Sequence, residues 1–267
     1  MRLVLLMNDQ ANQRALACRL ASQAEIAGIV LVRPAPKAGK RRRLLDQARR
    51  AARGAVGLPF RRSWFGMLAH YDRLYPRWPD AETIEVADVN DPATADLVAR
   101  LKPDLVVVSG TNLLRPPLIA AVQRTAPILN LHTGISPYIR GAPNCTNWCL
   151  AEGRFDLIGN TVMWIDAGID TGDLAATERT PLTGRESLIQ LHIAVMDHAH
   201  DLLVRCVGRL RDGLPLPRVR QWELGEGQLF LSKQWQAPQM ARALLAYRFR
   251  RPARPSEPVR LISPTDG

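Results

Sequence analysis

"ILNLHTGISPYIRGAPN", residues 128 to 144, opens as a short apolar run and turns within a few residues into a loop of Gly, Pro, Thr, Ser and Asn. A strand alternates its side chains between two faces, so Asn130 and His132 project together while Leu129 and Leu131 take the other face. Taken alone, the pair reads as an amide capping a turn and a satisfied core histidine. The flanking chain decides whether that reading stands.

Upstream, "DLVVVSG" (104–110) reads as a strand and "PPLIAAVQR" (116–124) as a helix opening on prolines. Before them lie "TIEVADV" (83–89) as strand and "PATADLVARL" (92–101) as helix. The chain starts with "RLVLL" (2–6), the helical pattern "NQRALACRLASQA" (12–24) and the apolar run "IAGIVLV" (26–32), a β-α-β unit. Continuous Val, Ile and Leu runs mark strands buried on both faces. Alternation with helices then implies a Rossmann-like, mostly parallel sheet flanked by helices, with right-handed crossovers. Ligands in such sheets bind at the carboxyl ends of the strands. That rule gathers "SGTNLL" (109–114), the loop after "NLH" and the loop after the next strand around one crevice.

Downstream, "CTNWCLAEG" (145–153) reads as a helix ending near Gly153, and "LIGNTVMWI" (157–165) as a strand leading into "DAGIDTGDL" (166–174). Asp166, Asp170 and Asp173 sit in that glycine-punctuated loop, where backbone can approach a flat ligand closely. The loop lacks the terminal Glu of an EF-hand, so no metal is expected there. Residues 185–210 form one long amphipathic helix bearing His192, His198 and His200, whose spacing is not that of a helical zinc pair. The remainder, 211–267, reads as a short extension: a hairpin over "GEGQLFLSKQW" (225–235), a helix and a basic tail, "YRFRRPARP" (247–255).

Composition narrows the class. A chain of 267 residues, 46% hydrophobic, can bury a large core, which excludes a wholly disordered protein. No run approaches the about 18 apolar residues of a membrane span, and Asn8, Asp9 and Gln10 interrupt the first apolar run too soon for a signal peptide. A cytoplasmic protein is expected. Cys18, Cys145, Cys149 and Cys206 lack zinc spacing and read as reduced thiols. Cys145 and Cys149, one helical turn apart and near His132 in sequence, leave a thiol nucleophile as an alternative. The net charge of +11 concentrates in 37–62, which carries ten Lys or Arg against Asp46. That segment reads as a solvated insertion within about 33–80, with nucleic acid or an anionic surface as the alternative partner.

Three motifs in order, "DLVVVSG", "NLH" followed by Pro137, Arg140 and Gly141, and "IDAGIDTGDL", resemble the folate-dependent formyltransferase family, whose members act on methionyl-tRNA, glycinamide ribonucleotide and amino sugars. The resemblance runs from about Thr83 to Leu210 and implies a catalytic domain over 1–210. It implies 10-formyltetrahydrofolate as co-substrate, no metal, and a catalytic trio of Asn130, His132 and Asp170. In that mechanism, amine attack on the formyl group creates a tetrahedral oxyanion, and Asn130 and a protonated His132 are donors suited to it. Asp170 suits the base or relay, and a carboxylate beside the imidazole would raise its pKa. The resemblance also implies a pterin slot from Leu113, Leu114 and Arg115 facing Ile165, Asp166 and Gly168. Arg140 and Asn144, with Asn147 more weakly, are placed on the acceptor side.

Departures from the family pattern point to the acceptor. Gly134, Ile135, Ser136 and Pro137 stand where relatives often have Ser-Leu-Leu-Pro, so the acceptor pocket is expected to differ. "MNDQANQ" (7–13) replaces the glycine-rich phosphate loop of the purine enzyme. The part after Leu210 is too short for the barrel of the tRNA enzyme. The expected acceptor is therefore an amino sugar or other small amine on a phosphorylated, nucleotide-like carrier. The alternatives are a methionyl-tRNA enzyme, a formyltetrahydrofolate hydrolase, and a non-catalytic relative binding nucleic acid or membrane. The sequence leaves the oligomeric state open, a homodimer being one possibility.

Overall fold

The computed structural model describes residues 1–34, 53–141, 144–165, 172–249 and 259–266. In chain order the main elements are β1 (Arg2–Asn8), α1 (Ala11–Ala21), β2 (Glu25–Val32), α2 (Leu58–Leu74), β3 (Glu82–Val86), α3 (Pro92–Leu101), β4 (Leu105–Ser109), α4 (Pro116–Gln123) and β5 (Ile128–His132). There follow β6 (Ile139–Gly141), α5 (Cys145–Glu152), β7 (Gly159–Trp164), β8 (Leu174–Arg179), α6 (Leu188–Arg211), β9 (Gln228–Phe230) and α7 (Ala237–Phe249).

Seven strands form one sheet in the order β3-β2-β1-β4-β5-β7-β8. The first five are mutually parallel, whereas β7 runs antiparallel to both β5 and β8. Only residues 165–173 join β7 to β8, fewer than the dozen or so that a parallel crossover requires, so that pair runs antiparallel.

Alternation hidden inside the apolar runs divides the core. Leu3, Leu5, Met7, Leu105, Val107, Leu129 and Leu131 pack with Leu16 and Leu20 of α1 and Leu202 and Leu203 of α6. Val4, Leu6, Val106, Val108 and Ile128 face the other way, onto Leu97 and Val98 of α3 and Leu118 and Val122 of α4. The helices start where caps and prolines dictate: Asp91 accepts from the Ala93 N–H ahead of α3, and Ser187 and Gln190 form a capping box for α6.

Two expectations change. The stretch 33–80, read as an insertion, contains α2, whose Met67 and Tyr71 are wholly buried against α1 and α6. The Tyr71 hydroxyl donates to Asp197 Oδ1 at 2.9 Å, so this part of the β2–β3 connection belongs to the helical layer. The expected C-terminal hairpin does not form. Instead β9 pairs in parallel with β6, Ile139 opposite Gln228 and Gly141 opposite Phe230. Gly227 permits the approach, since a Cβ there would lie 1.5 Å from the Pro137 carbonyl oxygen. Further on, Val219 bridges to Leu174 and Ile262 bonds with Thr177, covering the edge strand β8.

Candidate active site

The sheet reverses its winding between β1 and β4, so ligands are expected above the carboxyl ends of β1, β4 and β5. On β5, Ile128 faces the α3–α4 layer, and Asn130 and His132, two and four residues on, continue that face. Asn130 lies opposite Val108 of β4 and Met163 of β7, and His132 opposite Thr161. Both are half-buried. Among the described residues no side-chain hydrogen bond of the Asn130 amide is found.

The proposed pterin walls share that face. Leu114 is buried in the same cluster as Ile128, and Ile165 packs against that cluster, its N–H donating to the Ile128 carbonyl at 3.0 Å. Leu113 is exposed, and its carbonyl accepts from Asn90 Nδ2 at 2.9 Å. The Arg115 N–H donates to Asn90 Oδ1 at 2.7 Å, and its guanidinium reaches Asp88 at 3.3 Å. Asp88 thus organises this loop: it accepts from the Asn90 backbone and side chain and from Asn112 Nδ2. Those donors pull its carboxyl pKa down to about 2, the Asn90 backbone bond being the largest cause. Asp166, Gly168 and Asp170 lie outside the described residues.

On the acceptor side the outcomes diverge. Arg140 sits on β6 with its Nε buried and unpartnered among the described residues. It lines a cleft of about 640 Å³ with Pro137, Asp173, Arg220, Gln221 and Trp222. Asn144 instead caps α5, its Oδ1 accepting from the Asn147 N–H at 3.2 Å, so only the amide nitrogen remains to meet an acceptor. Asn147 is buried and bonded to His192 Nε2 at 3.0 Å, which makes it a packing residue.

The other sequence candidates take structural places. His192 also contacts Ser63 at 2.5 Å, His198 joins Glu178 at 3.1 Å, and His200 is fully buried. Among the described residues no group of three metal-ligating side chains occurs, and no helix is long and apolar enough to cross a membrane. Of the basic segment 37–62, residues up to 52 lie outside the described residues, and Arg61 and Arg62 are exposed on α2.

Sequence reasoning missed Arg220 and Trp222, which reach the cleft from the C-terminal extension, and the Asp88–Asn112 tie beneath the slot. A signal for the second existed in the Asp-x-Asn of 88–90, a turn-forming pattern at a strand end.

The chain is thus an α/β protein with a doubly wound sheet that carries an amide and an imidazole at the carboxyl edge of β5. Residues 1–207 match the formyl transferase family model, and the chain belongs to that family. The methionyl-tRNA formyltransferase of Syntrophus aciditrophicus is 34% identical over 133 residues, which is 50% of this chain and 41% of that protein. The chain thus spans less than half the length of this curated relative. Among solved structures, the N-formyltransferase of Helicobacter canadensis, in complex with folinic acid and dTDP-3-aminofucose, aligns with a TM-score of 0.57 at 11% identity, covering 95% of this chain and 84% of that one. Phosphoribosylglycinamide formyltransferase of Anaplasma phagocytophilum aligns with a TM-score of 0.55 at 15% identity, covering 85% and 98%. These structural likenesses speak for the fold.

Proposed function

We propose that this chain transfers a formyl group from 10-formyltetrahydrofolate to a primary amine borne by a small anionic molecule, an amino sugar on a nucleotide-like carrier being the first choice. The observation that carries this reading is the shared sheet face. The Asn130–His132 pair and the Leu114–Ile165 wall lie on it together, while the loop after His132 leads to the Arg140 cleft.

In this reading Asn130 and His132 donate to the formyl oxygen as it gains charge, each donor supplying about 3 to 4 kcal/mol. Asp170 takes the proton that the attacking amine sheds. Leu114, Ile165 and the loop pinned by Asp88 hold the flat heterocycle. Arg140 and Arg220 answer negative charge on the acceptor, and Trp222, 72% exposed, offers a face on which a base could stack.

The test is to incubate the purified chain with 10-formyltetrahydrofolate and a panel of amino-sugar nucleotides, scoring N-formyl products by mass spectrometry. Product with a nucleotide-linked amine supports the reading. Formate release without any acceptor would assign a hydrolase instead. A second reading, formylation of methionyl-tRNA, is favoured by the names of the sequence relatives, and methionyl-tRNA therefore belongs in the panel. No turnover with any amine would sink the transferase reading.

A further inference from the structure

Helix α2 turns one face inward and another to solvent. Phe60, Ser63, Met67 and Tyr71 are buried, whereas Leu58, Arg61, Arg62 and Phe65 are exposed, the last at 61%. Those four stand at i, i+3, i+4 and i+7, so they share one side of the helix. Neither guanidinium has an ion-pair or hydrogen-bond partner among the described residues. The one acid of α2, Asp72, lies two turns beyond Phe65 and pairs with Arg14. Ile189, exposed on the first turn of α6, extends the apolar part: its Cδ1 lies 3.1 Å from where a Cβ on Gly66 would stand, next to Phe65.

The positive charge of the chain gathers at the same corner. Residues 37–62 and 247–255 hold 14 Lys or Arg against Asp46, while the rest of the chain holds 22 against 24 Asp or Glu. These two stretches are far apart in sequence, yet the fold brings their described ends together. The first runs into α2. The second begins on the last turn of α7, where the Tyr247 hydroxyl donates to the Glu186 carbonyl oxygen at 2.8 Å, three residues before Ile189. Nearer its start, α7 places Met240 Sδ 3.2 Å from where a Cβ on Gly57 would stand, at the head of α2. Residues 37–52 and 250–255 lie outside the described residues and enter here through their charge alone.

We propose that this side of α2, with Ile189 beside it, seats the chain on an anionic lipid surface, Leu58, Phe65 and Ile189 entering the headgroup layer while Arg61 and Arg62 meet lipid phosphates. Apolar side chains set among arginines are what an interface of water and acyl chain accommodates, and the local excess of positive charge supplies the attraction. A nucleic acid would answer the arginines equally well, but its phosphate backbone would leave the aliphatic Leu58 and Ile189 in water. The formyl-transfer reading plays no part in this inference.

The experiment is co-sedimentation of the full chain with sucrose-loaded vesicles of phosphatidylglycerol and phosphatidylcholine in a 1:3 ratio, and of phosphatidylcholine alone, at low and high salt. Binding is expected on the anionic vesicles only, and it should weaken as salt rises. Arg61→Gln and Arg62→Gln should each lower the partition coefficient about fivefold. Phe65→Ser should lower it about tenfold, and Phe65→Leu should keep most of it, because insertion needs an apolar side chain and not an aromatic one. All these side chains are exposed, so thermal midpoints should stay near native. Failure to bind the anionic vesicles overturns the inference without any variant. So does binding left unchanged by the arginine and Phe65→Ser variants together, or a loss in Phe65→Leu as large as in Phe65→Ser. Bulk tRNA that binds more tightly per phosphate than the vesicles do, and loses that binding in the same variants, would assign the face to nucleic acid and overturn it as well.

Discussion

The indole of Trp148 on α5 stacks on the ring of Phe230 on β9, with centroids 4.2 Å apart and planes 20° from parallel. Trp235 meets the same indole edge-on at 4.9 Å. Helix α5 begins at Cys145, beside His132, so the extension after α6 packs against the element that borders the candidate site. Phe230→Ala should therefore cost about 3 to 5 kcal/mol of stability, read from the midpoint of urea unfolding. Truncation after Leu210 should abolish a cooperative transition. A truncated chain that unfolds cooperatively at the native midpoint would show that the extension is dispensable.

Acid should weaken the fold through two buried histidines. Burial pushes the pKa of His192 down to about 4 and that of His200, helped by Arg19, down to about 3. The unfolded chain protonates both near the ordinary histidine value of 6.5, so over this interval it binds more protons than the native state and stability falls as pH falls. Each group should contribute a slope of about 1.4 kcal/mol per pH unit, beginning below the unfolded pKa and ending near the folded one. Neither nitrogen of His200 has a partner among the described residues. His200→Leu should consequently flatten the stability profile between neutral pH and about pH 4. Thermal midpoints at three pH values measure it, and an unchanged slope contradicts it.

The Asp88 carboxylate binds the loop beside the proposed folate slot through Asn90, Asn112 and Arg115. Asp88→Ala should weaken binding of a stable folate analogue about five- to tenfold by leaving those donors without their shared acceptor. Because its pKa sits at about 2, this contribution should not vary across the ordinary working range of pH. Calorimetric titration at two pH values tests both statements.

Arg140→Ala and Arg220→Ala should raise the KM of an anionic acceptor, each about tenfold, while leaving kcat close to native. A guanidinium holding a distant phosphate binds ground and transition states alike. A fall in kcat at constant KM would place these arginines at the reacting centre instead.

Much of the sheet was legible from the chain. Runs such as Leu105 to Ser109 are buried on both faces, and the alternation that sends Leu129 one way and Asn130 the other is a property of any strand. The proline starts of α3 and α4 and the Gly153 end of α5 are equally local, because caps act within one turn. The extension was misread for the opposite reason. "GEGQLFLSK" carries a turn signal that suggests a hairpin, yet its strand finds its partner in residues 139–141, much earlier in the chain. Likewise, the stretch 33–80 reads as an insertion because it interrupts the alternation of strand and helix, although its Met67 and Tyr71 are buried in the helical layer.

The amino-acid sequence by itself determined most of the sheet: that the segments of β1 to β5 and β7 are strands, which face each of their residues takes, and that an amide and an imidazole end together on β5. Only the tertiary structure decided what meets that pair. It brings the Cys145 sulfur to His132, the Gly134 backbone between them, and Arg220 into the Arg140 cleft from far along the chain. The physical reason is range. Periodicity and caps are set by neighbours within a turn or two, whereas contacts between distant residues depend on how the whole core closes.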